Sequence, residues 1–76
     1  MNKAKPKRIT FQKRVWCKIR CWQQINDVAN SALAECLDVG ERTLKTYDKD
    51  ASNITLSQID QFLYMNDMTI HDLFNV

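Results

Sequence analysis

A chain of 76 residues is long enough for one domain with a small core. It contains a single Gly and a single Pro, which is too few turn residues for a β-rich fold, so we expect an all-α fold. No apolar run reaches the roughly 18 residues of a membrane span, and three cysteines do not make a disulfide framework, so we expect a cytoplasmic protein. The net charge of +2 conceals a division, because residues 1–22 hold eight basic side chains and no acid, whereas residues 23–76 hold three basic and nine acidic ones.

Residues 1–9 are basic and lack apolar periodicity, so we predict a mobile arm there, ahead of a folded domain over residues 10–76. A basic arm of this kind indicates binding to nucleic acid or another polyanion. A solubilising tail has the same composition and remains the alternative.

The first helix is predicted from about Phe11 to Gln24, with Thr10 as its N-cap. Its apolar side chains are spaced four, four and three residues apart and form one stripe that should face the core: Phe11, Val15, Ile19 and Trp22. Trp16 lies beside this stripe and should be partly exposed. The basic side chains of the helix lie off the stripe and should face solvent or phosphate: Lys13, Arg14, Lys18 and Arg20.

Two short helices separated by a tight turn are predicted next. The second helix covers about Val28 to Leu37, with Asp27 as its cap. Asp38 stands in the turn where the chain requires a left-handed residue, a conformation that Asp tolerates. Gly40 is then the N-cap of the third helix, which covers residues 41–49.

The last two helices each begin with a capping box, formed by Thr55 with Gln58 and by Thr69 with Asp72. The buried face of the fourth helix is predicted at Leu56, Ile59, Phe62 and Leu63. Across the five helices we predict a core that includes Val15, Ile19, Trp22, Leu33, Leu37, Val39, Leu44, Ile59, Leu63 and Leu73.

The stretch Asn30 to Lys49, NSALAECLDVGERTLKTYDK, resembles the helix-turn-helix of the lambda-repressor-like family, also described as Cro/repressor or XRE type. Leu33-Ala34 is similar to the Leu-Ala pair of the family's first motif helix, and Tyr47-Asp48 to the aromatic-acidic pair near the end of the second. The resemblance covers about residues 11–74. It implies a compact five-helix domain with a helix-turn-helix at helices 2–3.

The sequence departs from the family pattern at several positions. Asp38 and Asp50 replace frequent glycines, and Ala29 stands where Thr commonly caps the second helix. Gln23 stands where the family often has an Arg that pairs with the acid found here at Asp48. We therefore expect this structural ion pair to be weakened.

The resemblance implies that the third helix lies in the major groove of double-stranded DNA. It assigns base reading to Glu41, Arg42, Lys45 and Thr46, in which Arg42 would fork onto guanine and Glu41 would accept from cytosine. Phosphate contacts are expected from Asn30, Thr43 and Lys49 near the helix ends, and, because of the charge of the arm, from Lys3, Lys5, Lys7 and Arg8. An ordinary solvated helix face is the alternative for these residues.

No other candidate chemistry is supported by residue spacing. Cys17 and Cys21 lie four apart on the first helix, and His71 is the single histidine, whereas a zinc site usually needs four ligands at characteristic spacings. We therefore expect no metal, and three free thiols that act as small packing residues. Without a phosphate-binding loop or a catalytic constellation, we expect neither an enzyme nor a cofactor or small-molecule ligand.

Two functional interpretations remain open. The first is a sequence-specific DNA-binding regulator of transcription, repressor-like and of bacterial or phage type, acting as a homodimer. Its dimer interface is placed at Ile70, Leu73 and Phe74, although these side chains could equally close the core. The second is a protein-interaction module of the same fold that binds and modulates another regulator, as an antirepressor or co-repressor does.

Overall fold

The computed structural model describes residues 8–76, and these residues form five helices and no strand. The helices are α1 (Phe11–Ile25), α2 (Asn30–Leu37), α3 (Glu41–Lys49), α4 (Leu56–Met65) and α5 (Ile70–Phe74). The prediction of an all-α fold is confirmed for this part of the chain. Most of the predicted arm, including Lys3, Lys5 and Lys7, lies outside the described residues. No helix among residues 8–76 is long and apolar enough to span a bilayer.

Four helices, α1, α3, α4 and α5, begin at the predicted N-caps, and in three of them the cap is a threonine side chain. The Thr10 hydroxyl accepts a hydrogen bond from the Lys13 backbone N–H at 3.1 Å. Both capping boxes are complete, because Thr55 and Thr69 each accept from the residue three positions later and each receive the reciprocal side-chain bond. These contacts satisfy backbone N–H groups that a helix leaves without partners at its start.

The predicted start of α2 is wrong. Asp27 does not cap this helix but ends α1 in the left-handed conformation, with φ 53°. Its N–H donates to the Gln24 carbonyl at 3.3 Å, and the Val28 N–H donates to the Gln23 carbonyl at 3.0 Å. Because Asp27 and Val28 are used to terminate α1, α2 begins only at Asn30, with Ala29 as its N-cap.

The core draws buried side chains from every helix. The buried members of the predicted core are Val15, Ile19, Leu33, Leu37, Leu44, Ile59 and Leu73. The other three predicted members are half-buried and pack against this core: Trp22, Val39 and Leu63. Buried side chains that the predicted core left out include Ala34, Tyr47, Ala51 and Ile54.

Three burial predictions are wrong. Trp16 is 3% exposed, because its ring packs edge-on against Tyr47 with centroids 5.2 Å apart. Leu56 is 74% exposed as the first residue of α4, although Ile59, three residues later, is buried. Phe11 is 49% exposed, and it contacts Phe74 at the edge of the core rather than inside it.

Candidate nucleic-acid interface

The turn between α2 and α3 sets the direction in which α3 leaves the core. Asp38 is left-handed at φ 57° and ψ 47°, as predicted, and its N–H donates to the Glu35 carbonyl at 3.1 Å. Gly40 then returns the chain to an extended conformation and caps α3, also as predicted. Leu37 before the turn and Leu44 after it are both buried in the same core, which holds the two helices together.

The exposed face of α3 carries a row of positive charges. Leu44 and Tyr47 are the buried side chains of this helix. Arg42, Lys45 and Lys49 are all exposed and follow each other three and four residues apart, so they lie on one face. We call these three residues the α3 basic stripe. Of the other predicted contact residues on α3, Glu41 and Thr46 are exposed and Thr43 is half-buried.

Asp48 is an α3 acid that the protein neutralises internally. Its carboxylate accepts two bonds from the Arg20 guanidinium, from Nε at 3.0 Å and from Nη2 at 2.9 Å. It also accepts a bond from Trp16 Nε1 at 2.8 Å. These hydrogen bonds, that of Arg20 foremost, hold the pKa of Asp48 below its usual value. The expectation that the ion pair of Asp48 is weakened is wrong, because Arg20 provides the positive charge that a glutamine at position 23 cannot provide.

Gln23 holds that arginine in place. Arg20 Nη1 donates to Gln23 Oε1 at 2.6 Å and to Asn30 Oδ1 at 2.9 Å. Gln23 Nε2 in turn donates to Asn30 Oδ1 at 2.8 Å and to the Val28 carbonyl at 3.0 Å. The prediction that Arg20 faces solvent or phosphate is therefore wrong, since its side chain joins α1 to the first residue of α2 and to α3.

Asn30 keeps a group that suits its predicted phosphate contact. Its Oδ1 accepts bonds from both Arg20 and Gln23, which directs the amide NH₂ group away from that network. The residue is exposed at the start of α2, where Ala29 provides no side-chain cap. An amide donor beside free backbone N–H groups at a helix start is a favourable environment for an anion.

The α3 basic stripe continues onto α1. Lys49 borders a cavity of about 440 Å³ that Arg8 and Lys13 also line, so three cations from different segments lie around one concave surface. Asp50 lies in the same cavity, and its carboxylate accepts from the Ser52 backbone N–H at 3.0 Å. This backbone bond is the main reason why the pKa of Asp50 is lowered.

Glu41 differs from Asp48 and Asp50 in having no hydrogen-bond or ion-pair partner within residues 8–76. It borders a surface depression between α2 and α3 that Glu35 and Asp38 also line. The start of α3 is therefore more acidic than its exposed middle and end. Arg42, the first residue of the α3 basic stripe, follows Glu41 directly in the sequence.

Two further predictions are corrected by burial. Leu73 is 0% exposed, so it belongs to the core and is not available to a dimer interface in this conformation. Phe74 is half-buried against Phe11, and Ile70 remains 39% exposed. Cys17 is exposed, so the prediction that it acts as a packing residue is wrong.

The structure thus leaves the predicted α3 residues exposed, except for the half-buried Thr43, and adds Lys13 to them from α1. It leaves Asn30 at the start of α2 and withdraws Leu73 into the core. Across the described residues, no group of three metal-ligating side chains is brought together. No protein-family model, curated protein or solved structure matches the chain.

Proposed function

We propose that the chain is a sequence-specific DNA-binding regulator of transcription, in which α2, the turn and α3 act as a helix-turn-helix of lambda-repressor-like type. The observation that carries this proposal is the α3 basic stripe, which occupies the middle of the exposed face of α3. A row of cations on an exposed helix, opposite a buried apolar face, suits insertion into a groove bounded by phosphates.

The dimensions of α3 fit this role. A helix with its side chains is about 10–12 Å across, which matches the width of about 12 Å of the major groove of B-DNA. The nine residues of α3, at about 1.5 Å each, place roughly 14 Å of helix along the groove. Arg42 lies in the first turn, from which a guanidinium reaches guanine O6 and N7. Lys45 follows one turn later, and Lys49 ends the helix beside Arg8 and Lys13, where cations meet the phosphate backbone.

The electrostatic balance of this surface favours DNA despite its acids. Six basic side chains lie on α3 or next to it: Arg8, Lys13, Arg20, Arg42, Lys45 and Lys49. Against them stand Glu41, Asp48 and Asp50 on α3 or at its end, and Glu35 and Asp38 beside its start, so the surface carries a net charge of +1. Asp48 and Asp50 are held by bonds within the protein, which leaves Glu41 as an acid free to select a base by accepting from cytosine N4.

The proposed regulator acts on double-stranded DNA as a homodimer, with two half-sites about one helical turn, roughly 34 Å, apart. Since Leu73 is buried, the contact between copies must use other side chains, and Ile70 is the exposed member of the predicted set. Sedimentation of the protein with and without its duplex measures this state directly.

A second candidate function is the binding of another regulator protein, as an antirepressor or co-repressor. One observation favours it: Glu35, Asp38 and Glu41 border the same depression and present an acidic surface to a basic partner. Such a surface would compete with DNA by resembling its charge. The first function requires base preference in the bound DNA, whereas the second does not.

The test is to select duplexes from a random pool with the full chain and to compare Arg42→Ala with Arg14→Ala. Both variants remove one exposed arginine, but Arg14 lies on α1 and outside the α3 basic stripe. We expect Arg42→Ala to weaken binding to the selected duplex by about 1–3 kcal/mol and to relax preference at one base pair. We expect Arg14→Ala to affect all duplexes alike.

Selection without enrichment, together with equal effects of Arg42→Ala and Arg14→Ala, would refute base reading by α3. The second function would then be tested by measuring capture of a protein partner. Glu41, Arg42 and Lys45 would be the first residues to substitute in that experiment, because they share the exposed start of α3.

A further inference from the structure

The solvent-facing side of α1 carries two thiols one helical turn apart. Cys17 is exposed and Cys21 is half-buried, and both lie off the face formed by Val15 and Ile19. Neither thiol belongs to the core, and neither lies on the α3 basic stripe. The third cysteine is different, because Cys36 on α2 packs against the core and lies 3.8 Å from Asn66 Nδ2.

The spacing of these two cysteines determines whether they can form a disulfide or hold an ion between them. Residues four apart on a helix have Cβ atoms roughly 5–6 Å apart. A disulfide requires a Cβ separation of about 3.8 Å, so Cys17 and Cys21 do not form one while α1 keeps its helical geometry. An ion with bonds of about 2.3 Å to each sulfur spans the wider gap.

The surroundings of the two thiols select the kind of ion. No carboxylate occurs in α1, so oxygen ligands for a hard cation are missing from this helix. Within residues 8–76, no third ligand joins the two cysteines in a cluster, which makes a four-ligand zinc site within one copy impossible. Lys13 and Arg14 lie one turn before Cys17, and their positive charges offset the negative charge of two bound thiolates.

We propose that Cys17 and Cys21 form a chelating site for thiophilic metal or metalloid ions that two thiolates hold, with trivalent arsenic as the representative. Soft sulfur ligands select such ions over magnesium or calcium. The inference does not rest on DNA binding, since the two cysteines are separate from the α3 basic stripe.

The probe is phenylarsine oxide, applied to the full reduced chain and followed by intact mass spectrometry. The reaction joins one arsenic to both sulfurs, and the two thiol protons leave with the arsenic-bound oxygen as one water molecule, without any change of oxidation state. We expect one adduct per chain that survives excess glutathione and is removed by 2,3-dimercaptopropanol. A second attachment within one molecule typically raises affinity by about 100-fold or more.

Single serine variants test the assignment. We expect Cys17→Ser and Cys21→Ser each to weaken retention of the arsenical by about 100-fold. Cys36→Ser is the matched control and should retain it as the original chain does. Because Cys17 is exposed, its substitution leaves the fold intact, and circular dichroism verifies this for all three variants. Equal retention by Cys17→Ser and the original chain, or removal of the adduct by glutathione, would overturn the proposal.

Discussion

Asp48 provides the sharpest test of how α3 is held against α1. Its carboxylate accepts from the indole of Trp16 at 2.8 Å and from two nitrogens of Arg20 at 2.9 and 3.0 Å. Trp16 is only 3% exposed, whereas the side chains of Arg20 and Asp48 are 25% and 45% exposed. Water can therefore replace the ion pair with Arg20 more easily than the hydrogen bond from Trp16.

The difference in exposure predicts unequal costs for two substitutions. Asp48→Asn keeps an oxygen for the Trp16 N–H and removes the ion pair, which at this exposure is worth about 0–1 kcal/mol. Asp48→Ala also leaves the buried N–H without an acceptor, which costs about 1–3 kcal/mol more. The higher helix propensity of Ala returns a few tenths of a kcal/mol. We expect the free energy of unfolding to fall by about 2 kcal/mol for Asp48→Ala and by less than about 1 kcal/mol for Asp48→Asn.

The ion pair also predicts a pH dependence. The pKa of Asp48 is lowered in the folded protein, so the folded state binds fewer protons than the unfolded state. The stabilisation is therefore complete above the ordinary value of about 3.9 and is lost as the pH falls through the lower folded value. The stability difference between the original chain and Asp48→Asn should be constant from pH 7 to 5 and should shrink below pH 4.

Urea unfolding monitored by circular dichroism measures both effects, and tryptophan fluorescence of the same variants in a Trp22→Phe background reports the contact of Trp16. Asp60→Asn is the control, because Asp60 is exposed on α4 and has no ion-pair or hydrogen-bond partner among the described residues. Equal losses for Asp48→Ala and Asp48→Asn would show that the Trp16 N–H does not depend on this carboxylate. A difference between the original chain and Asp48→Asn that stays the same from pH 7 to pH 2 would refute the ion-pair argument.

Two further predictions concern the turn and the arm. Asp38→Gly should raise the free energy of unfolding by about 1 kcal/mol, because glycine adopts the left-handed conformation at φ 57° without steric cost. Asp60→Gly, inside α4, should instead lower it by about 0.3 kcal/mol, the difference between the helix propensities of Asp and Gly. Deletion of residues 1–8 should weaken binding to all duplexes alike. It should also reduce the slope of log affinity against log salt by about one for each phosphate that the arm neutralises. A deletion without effect on that slope would exclude the arm from DNA binding.

Helix starts were predictable because their causes are local. Thr55 and Thr69 each satisfy the N–H of a residue three positions later, so a tetrapeptide contains both partners. Asp27 shows the limit of this reasoning. An aspartate accepts N–H groups at a helix start and also tolerates the left-handed conformation at a helix end. The sequence permits both roles. Because the connection between α1 and α2 is short, Asp27 takes the left-handed position at the end of α1.

Apolar periodicity located the centre of α1 but not its edge. Val15 and Ile19 are fully buried, as a stripe with helical spacing predicts. Trp16 lies about 100° around the helix from Val15, and its burial depends on Tyr47 and Asp48, which are more than thirty residues away in sequence. A pattern within one helix contains no information about such partners.

The charge of the candidate interface shows the same division between local and distant causes. The basic stripe follows from the spacing of Arg42, Lys45 and Lys49, which sequence alone provides. Sequence alone also leaves Asp48 without a cation, because the arginine expected at position 23 is a glutamine. In the structure, Gln23 accepts from Arg20, one turn earlier on α1, and the Arg20 guanidinium reaches Asp48 from there. The ion pair is thus retained with its cation moved by one turn, and Asp48 stabilises the contact between α1 and α3, while Lys45 and Lys49 remain exposed.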